Sequence, residues 1–270
     1  MPLQRLLLGV YQAIGPRVLS SALGRRAFVG SYFLYKRWLE DPFAALARHR
    51  PGLFRGGHVL DVGANVGYTA SVFAGALDPG RQVHAFEPER ANFDLLQAVV
   101  ARRGLAGRVV PVRAAVGAEA GEVDLWRNRA HHADHRVLTA TLVAALGVRA
   151  GDSERVPLVA LDGYVRAHRL DRIAFVKVDV QGFEGEVLRG MHGLLADNPE
   201  ARLVLEYAPW QMRQAGFDPA GLLADLESQG FRTWRLDQGG ALRACRRDEL
   251  LSLDGPHDYV DLLASRQPLT

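Results

Sequence analysis

The residues best suited to chemistry in this 270-residue chain are acidic, and each closes a short apolar run. Asp61 belongs to the first, His58-Val59-Leu60-Asp61-Val62, and opens the turn Asp61-Val62-Gly63-Ala64-Asn65-Val66-Gly67. In open parallel sheets, ligands bind at the carboxyl ends of strands, beside such turns. Gly63 lets the backbone turn sharply and approach a ligand, and Gly67 lets the following helix pack close. Asp61 places a carboxylate where an ammonium group or a water shell could sit. A dinucleotide fingerprint would read G-x-G-x-x-G, with the pyrophosphate on the helix N-terminus. Here Asn65 stands at the middle glycine position, and an acid precedes the turn. That pattern repels a pyrophosphate and suits a cationic amino-acid tail, so the loop favours a sulfonium nucleoside. The bland alternative is a plain strand-turn-helix connection.

Glu87 ends a second run, Val83-His84-Ala85-Phe86, 24 residues beyond Gly63. A carboxylate there accepts hydrogen bonds from ribose hydroxyls. Asp179 ends a third run and leads into Val180-Gln181-Gly182-Phe183-Glu184. It is placed to orient a donor, take a proton or hold a cation. The alternative is that Asp179 and Glu184 cap the next helix. Glu206, before Tyr207, reads as the acceptor side of the cleft or as a solvated rim acid. His131, His132 and His135 titrate near neutrality and suit a lid that supplies a base. Their spacing is irregular for a metal cluster, and surface placement explains them equally. Asp179, Glu206 and His132 are therefore the candidate bases. No metal ligands are assigned, although rim acids holding a divalent ion would be another way to lower an acceptor pKa.

These residues need a scaffold that brings strand ends to one rim. Strands are expected at 58–62, 83–86, 108–112, 175–179 and 203–206, with weaker strand-like pieces at 122–127 and 156–161. Helices are expected over 66–77, around Phe93 to Val99, over 184–195 and around Leu222 to Leu226. A hairpin about Gly239-Gly240 closes the sheet. The alternation predicts an α/β fold, a doubly wound and mostly parallel sheet with helices on both faces. Residues 1–55 read as a helical cap, with stripes Leu3 to Val18 and Phe28 to Leu39, and Asp41-Pro42 opening a short helix. Residues 56–270 form the main domain. Segment 128–150 is the least legible.

Composition narrows the function classes. Hydrophobic and charged shares of 48% and 23% describe an ordinary globular protein. A net charge of +3 with scattered Arg gives no basic platform for nucleic acid. Cys245 is the only cysteine, which excludes an intramolecular disulfide and a multi-thiolate zinc site and suits a cytoplasmic location. No apolar run reaches the length of a spanning helix. Arg5, Arg17, Arg25 and Arg26 flank apolar faces, leaving peripheral membrane contact open. Trp38, Trp126, Trp210 and Trp234 read as packing residues.

Taken together, "VLDVGANVGYTA" (59–70), "FEPERANFDLL" (86–96), "VRAAVG" (112–117), "VPLVALDGYV" (156–165), "FVKVDVQGFEGEVLRGM" (175–191) and "LVLEYAP" (203–209) resemble the FkbM-type methyltransferase family. The resemblance extends over about residues 55–265. It implies a Rossmann-like class I methyltransferase sheet of about seven strands with one antiparallel strand near the edge. It implies S-adenosylmethionine as methyl donor and a hydroxyl acceptor on a sugar, glycolipid or natural product. By motif, Asp61, Gly63, Ala64, Asn65 and Gly67 would surround the methionine part, with Tyr68 at the cofactor edge. Glu87 and the adjoining Pro88 would serve the ribose, Asn92 and Ala115 the adenosine, and Asp179 the reacting centre. Gln181 stands where members of the family commonly carry Glu. The histidine-rich "NRAHHADHRVLTATL" departs from the usual Ser, Asn and Gly.

Other classes compete. A nicotinamide-dependent oxidoreductase suffers from the missing middle glycine. A non-catalytic binding scaffold would be expected to have lost part of the Asp61–Gly67 loop or Asp179. A methyltransferase acting on RNA would be expected to carry a basic surface.

Overall fold

The computed structural model describes residues 22–36, 42–128, 135–147 and 152–269. His131 and His132, Trp38, Asp41 and the Leu3–Val18 stripe lie outside them. The chain opens with helix α1 (Ala22–Tyr35) and helix α2 (Pro42–His49), then a short 3-10 turn, Pro51–Phe54. Strand β1 (His58–Val62), helix α3 (Tyr68–Ala76), β2 (Val83–Phe86), α4 (Arg90–Arg102) and β3 (Val109–Val112) follow in strict alternation. After an intervening layer come β8 (Ile173–Val178), α7 (Glu184–Arg189), α8 (His192–Asp197) and β9 (Arg202–Tyr207). Helices α9 (Pro209–Gln214) and α10 (Pro219–Ser228) precede the hairpin β10 (Arg232–Leu236) and β11 (Leu242–Ala244). Helix α11 (Arg247–Leu251) and strand β12 (Val260–Ser265) end the fold.

The main sheet has eight strands in the order β11-β10-β12-β9-β8-β1-β2-β3. The strands from β9 to β3 pair in parallel, and β12 runs antiparallel between β9 and β10. This is the expected class I methyltransferase sheet, extended by β11. The expected hairpin forms, but β12 intervenes between it and β9. The chain winds from β1 toward β3 on one side and resumes at β8 on the other. The switch point therefore lies between β1 and β8, where ligands of open α/β sheets bind.

The central strands bury both faces, so they are apolar nearly throughout. Leu60, Val62, Val176, Val178, Leu203 and Leu205 pack into one core, with Leu188 and Leu195 of the covering helices. Val59, Ala85, Phe175 and Val204 face the other way and pack with Phe43, Leu46, Phe54 and Phe73. Residues 42–54 are thus built into the core of the main sheet.

Two expectations needed revision. The weak strands at 122–127 and 156–161 belong to a separate sheet. It has four strands, β4 (Ala115–Val116), β7 (Ser153–Val159), β5 (Gly121–Trp126) and β6 (Arg136–Val137), in that order. Helices α5 (Ala140–Leu146) and α6 (Leu161–Ala167) flank β7 in sequence. The single helix expected over 184–195 is also broken, into α7 and α8. At Gly190 a Cβ would sit 2.0 Å from the carbonyl oxygen of Gly117, so the backbones touch there. Asp162 then accepts the N–H groups of Gly193 and Leu194 at 3.0 and 2.6 Å, supplying partners at the start of α8. No helix among the described residues is long and apolar enough to cross a membrane.

Candidate active site

A cavity of about 420 Å³ opens over the carboxyl ends of β1, β2, β8 and β9. The sheet ends form its floor. Its walls include Tyr32 of α1, Leu125 and Val137 of the second sheet, and the segment Pro256–Tyr259. Of the residues singled out by sequence, Gly63, Ala64, Asn65, Tyr68, Glu87, Pro88, Asn92, Ala115, Asp179 and Glu206 all line it. Gly67 and Asp61 do not, and His132 lies outside the described residues.

The turn after β1 is shaped by backbone contacts. Gly63 and Asn65 both take positive φ, 76° and 49°. A Cβ on Gly63 would fall 1.9 Å from the carbonyl oxygen of Asp179, so only glycine lets the two loops meet. Gly63 and Ala64 donate their N–H groups to Phe86, at 3.0 and 2.9 Å. Glu87 accepts the N–H of Asn65 and the N–H of Glu89, each at 2.9 Å. One buried carboxylate therefore ties the first loop to the second. Burial pushes the Glu87 carboxyl up to about 8, against the pull of these two donors. Glu89 in turn accepts the N–H of Asn92 at 2.7 Å, capping α4 and setting buried Asn92 against the cavity. Tyr68, at the first turn of α3, meets Phe33 of α1 edge-on at 5.0 Å.

Asp61 stands beneath the loop and is not among the residues that line the cavity. The parallel register pairs Asp61 of β1 with Lys177 of β8, so both side chains stand on one face under the loop. Asp61 is fully buried and accepts a hydrogen bond from the Thr69 hydroxyl at 2.6 Å. Its other oxygen lies 3.7 Å from the Lys177 ammonium. The buried charge needs a partner more than it needs solvent, and the neighbouring strand supplies one. Burial pushes the Asp61 carboxyl up, while Lys177 and Thr69 pull it down.

Lys177 joins both halves of the site. It donates to the Gly63 carbonyl oxygen at 2.8 Å and reaches Asp179 at 3.3 Å. Burial alone would lower its pKa, but Asp179 and Asp61 hold it above the ordinary lysine value. On the far side, Gln181 donates its amide to Asp179 at 2.9 Å and to Glu206 at 3.0 Å. Gln181 has φ of 56°, a left-handed conformation that turns its side chain back over the strand ends. Burial would raise Asp179, but Lys177, Lys36 and Gln181 hold it below the ordinary carboxylate range. Glu206 goes the other way, raised well above its ordinary value by burial and by Asp179, Glu184 and Asp261. The adjoining turn is braced by Glu184, whose carboxylate accepts the N–H groups of Val180 and Gly182 at 3.1 and 3.2 Å.

Sequence reading missed Lys177, Thr69, Lys36, Gln211, His257 and Tyr259 as site residues. Lys177 had a signal, since a lysine amid a buried parallel strand needs a counter-charge. Thr69 is local, at the start of α3, whereas Lys36, Gln211, His257 and Tyr259 are brought in by the packing of distant elements. His135 reaches the cavity wall as part of the histidine-rich segment. Among the described residues, no group of three or more His, Cys, Asp and Glu is arranged as a metal centre.

Residues 61–233 match the model of the Methyltransferase FkbM domain family. The chain is 29% identical over 195 residues to the 31-O-demethyl-FK506 methyltransferase FkbM of Streptomyces tacrolimicus, covering 64% of this chain and 72% of that protein. Among solved structures, the methyltransferase FkbM from Methylobacillus flagellatus KT is 17% identical with a TM-score of 0.47. The alignment covers 86% of this chain but spans only 50% of that one. A SAM-dependent methyltransferase from Aquifex aeolicus is 16% identical, with a TM-score of 0.44 and coverage of 85% and 92%.

Proposed function

The chain belongs to the FkbM methyltransferase domain family, and on that premise we propose that it moves a methyl group from S-adenosylmethionine to a hydroxyl oxygen of a sugar, glycolipid or other natural product. The donor supplies a methyl group already activated on sulfonium sulfur, so the protein's part is alignment, exclusion of water and handling of one proton.

The observation that carries the reading is the division of the cavity floor. One half is neutral loop backbone braced by Glu87, and the other is a carboxylate pair bridged by Gln181. Gly63, Ala64 and Asn65 would hold the amino-acid part of the donor. Each Glu87 oxygen keeps a lone pair beyond its backbone bond, which suits a ribose diol. Asn92, Pro88 and Ala115 would border the base. Asp61 and Gly67 would act from below, by holding the loop. Asp179 and Glu206 would face the acceptor. Helix α1 and the adjoining Lys36 would help to cover the acceptor side, since Tyr32 and Lys36 reach the cavity. The Streptomyces relative is named for a 31-O-demethyl substrate, which supports an oxygen acceptor here.

Calorimetric titration with S-adenosylmethionine tests the donor half, with Glu87→Ala as control. Saturable one-site binding is expected, weakened about 10- to 100-fold in the variant. Absence of binding in a folded sample, at ligand on the order of a millimolar, sinks the reading. Methyl-labelled donor offered with hydroxylated saccharides, glycolipids and macrocycles then tests the acceptor half. Label on nitrogen or carbon in the product would overturn the oxygen assignment.

A further inference from the structure

Resting on that reading of the donor site, we propose that the Asp179–Gln181–Glu206 bridge is a proton reservoir. It holds one proton at rest, releases it when the cationic donor binds, and regains it from the acceptor hydroxyl during transfer.

The geometry makes the two acids one unit. A single amide nitrogen donates to both, at 2.9 Å to Asp179 and 3.0 Å to Glu206. Both carboxylates line the same cavity. Two carboxylates sharing a site do not ionise independently, and the proton belongs to the pair. The surroundings decide which member keeps it. Lys177 on β8 lies 3.3 Å from Asp179, and Asp61 on β1 shares that cation at 3.7 Å. Glu206 on β9 is instead opposed by Asp179, by Glu184 on α7 and by Asp261 on β12, while the cation Lys36, just after α1, pulls the other way. At rest Asp179 is therefore the anion and Glu206 the acid.

A positive sulfonium entering this cavity acts on the pair as an added counter-charge. It favours the doubly ionised state and expels the Glu206 proton to solvent. The pair then carries two negative charges beside one reactive cation. When the acceptor oxygen forms its bond to the methyl carbon, the carbon–sulfur bond breaks and sulfur keeps the electron pair. The hydroxyl proton passes to the carboxylate pair, and sulfur leaves as a neutral thioether. Charge balances, since one cation and one carboxylate become a thioether and a carboxylic acid. The neutral product no longer supports two charges, so the resting state returns without a separate reset. Gln181 is a positioning residue here. It accepts no proton but keeps both acids on one donor.

The test needs no acceptor. Wild-type protein is titrated calorimetrically with S-adenosylmethionine and separately with S-adenosylhomocysteine, at one pH near neutral, in phosphate and in Tris. The dependence of heat on buffer ionisation enthalpy counts protons. About half to one proton is expected to leave with the sulfonium ligand and none beyond background with the thioether. The amino-acid tail is common to both ligands, so the difference isolates the sulfonium. Glu206→Gln is expected to bind both ligands and to lose the difference. Equal proton counts for the two ligands in wild type overturn the reservoir, and that comparison does not depend on any variant folding. A difference that survives Glu206→Gln overturns it as well. Failure of both ligands to bind removes the donor site itself, an outcome distinct from binding with equal counts.

Discussion

The two halves of the cavity are built by opposite means. On the β1–β2 side, positions are set by backbone. Gly63 and Ala64 donate to Phe86, and Glu87 takes N–H groups from both flanking loops. On the β8–β9 side, positions are set by charge, through Lys177, Asp179, Gln181 and Glu206. Backbone bonds survive most side-chain changes and suit the invariant part of a ligand. A charge network responds to what enters it, and suits the part of the reaction in which charge moves. The outer wall differs again. It is assembled from the second sheet, from Tyr32 and from the segment Pro256–Tyr259, and it touches the floor loops through small apolar clusters, Tyr32 packing with Val66 and the second sheet with Val180 and Phe183.

Lys177 is where the two halves meet, and removing it should have the largest effect. Lys177→Met keeps the length and volume of the side chain but leaves Asp61 and Asp179 with no buried cation. Breaking a buried ion pair by deleting one partner costs about 3–5 kcal/mol. Chemical denaturation at neutral pH should show a loss of that order, with donor affinity falling because the Gly63 carbonyl loses its anchor. A loss under about 1 kcal/mol would mean that the halves are independent and that the acids neutralise themselves by protonation.

Glu184 offers an intermediate effect confined to the charged half. Burial raises its carboxyl to about 7, from an ordinary value of 4.5. A raised acid contributes stability that is fully present below its unfolded pKa and is lost as pH rises through the folded one. Stability from this group should therefore fall between about pH 4.5 and pH 7. Glu184→Gln keeps an oxygen for the Val180 and Gly182 N–H groups but never ionises. The variant should match wild type near pH 4.5 and become more stable toward pH 7, by about 2–3 kcal/mol. A pH-independent difference would mean that Glu184 is already ionised in the folded protein across that range.

How far each half could be read in advance follows from the same contrast. The floor loops were legible because their geometry is local. A strand and its glycine turn lie within the ten residues His58 to Gly67, with the helix starting at Tyr68, and Gly63 has to be glycine for the turn to pass Asp179. Asp61 was placed at the right strand end, as a carboxylate beside an ammonium group or a water shell. Its true partner is Lys177, which sequence separates from it by more than a hundred residues and only the β1–β8 register brings alongside. Glu206 was read as a candidate base on the acceptor side or a solvated rim acid, and Gln181 as a position that keeps its shape but loses a charge. Their union on one amide depends on the left-handed φ of Gln181, which nothing in its side chain announces. The second sheet was legible only in its longer strands, β5 and β7, which the pieces at 122–127 and 156–161 overlap. Its strands β4 and β6 are two residues each, too short to carry a period.

The smallest effect is expected at the outer wall, and it is the sharpest test of the division. Tyr259 lines the cavity yet is 47% exposed, on the segment just before β12. Little apolar area is lost from the core if its ring is removed, so Tyr259→Ala should change stability by no more than about 0.5 kcal/mol. If donor contacts are confined to the floor, affinity for S-adenosylmethionine should also move by less than about twofold. Transfer to an acceptor should fall through a raised KM, because an amphipathic ring at a cavity mouth contributes uniform binding rather than transition-state contacts. A large loss of donor affinity in Tyr259→Ala would show that the outer wall closes over the donor as well. The cavity would then be a single enclosed chamber, not a backbone floor under an exchangeable wall.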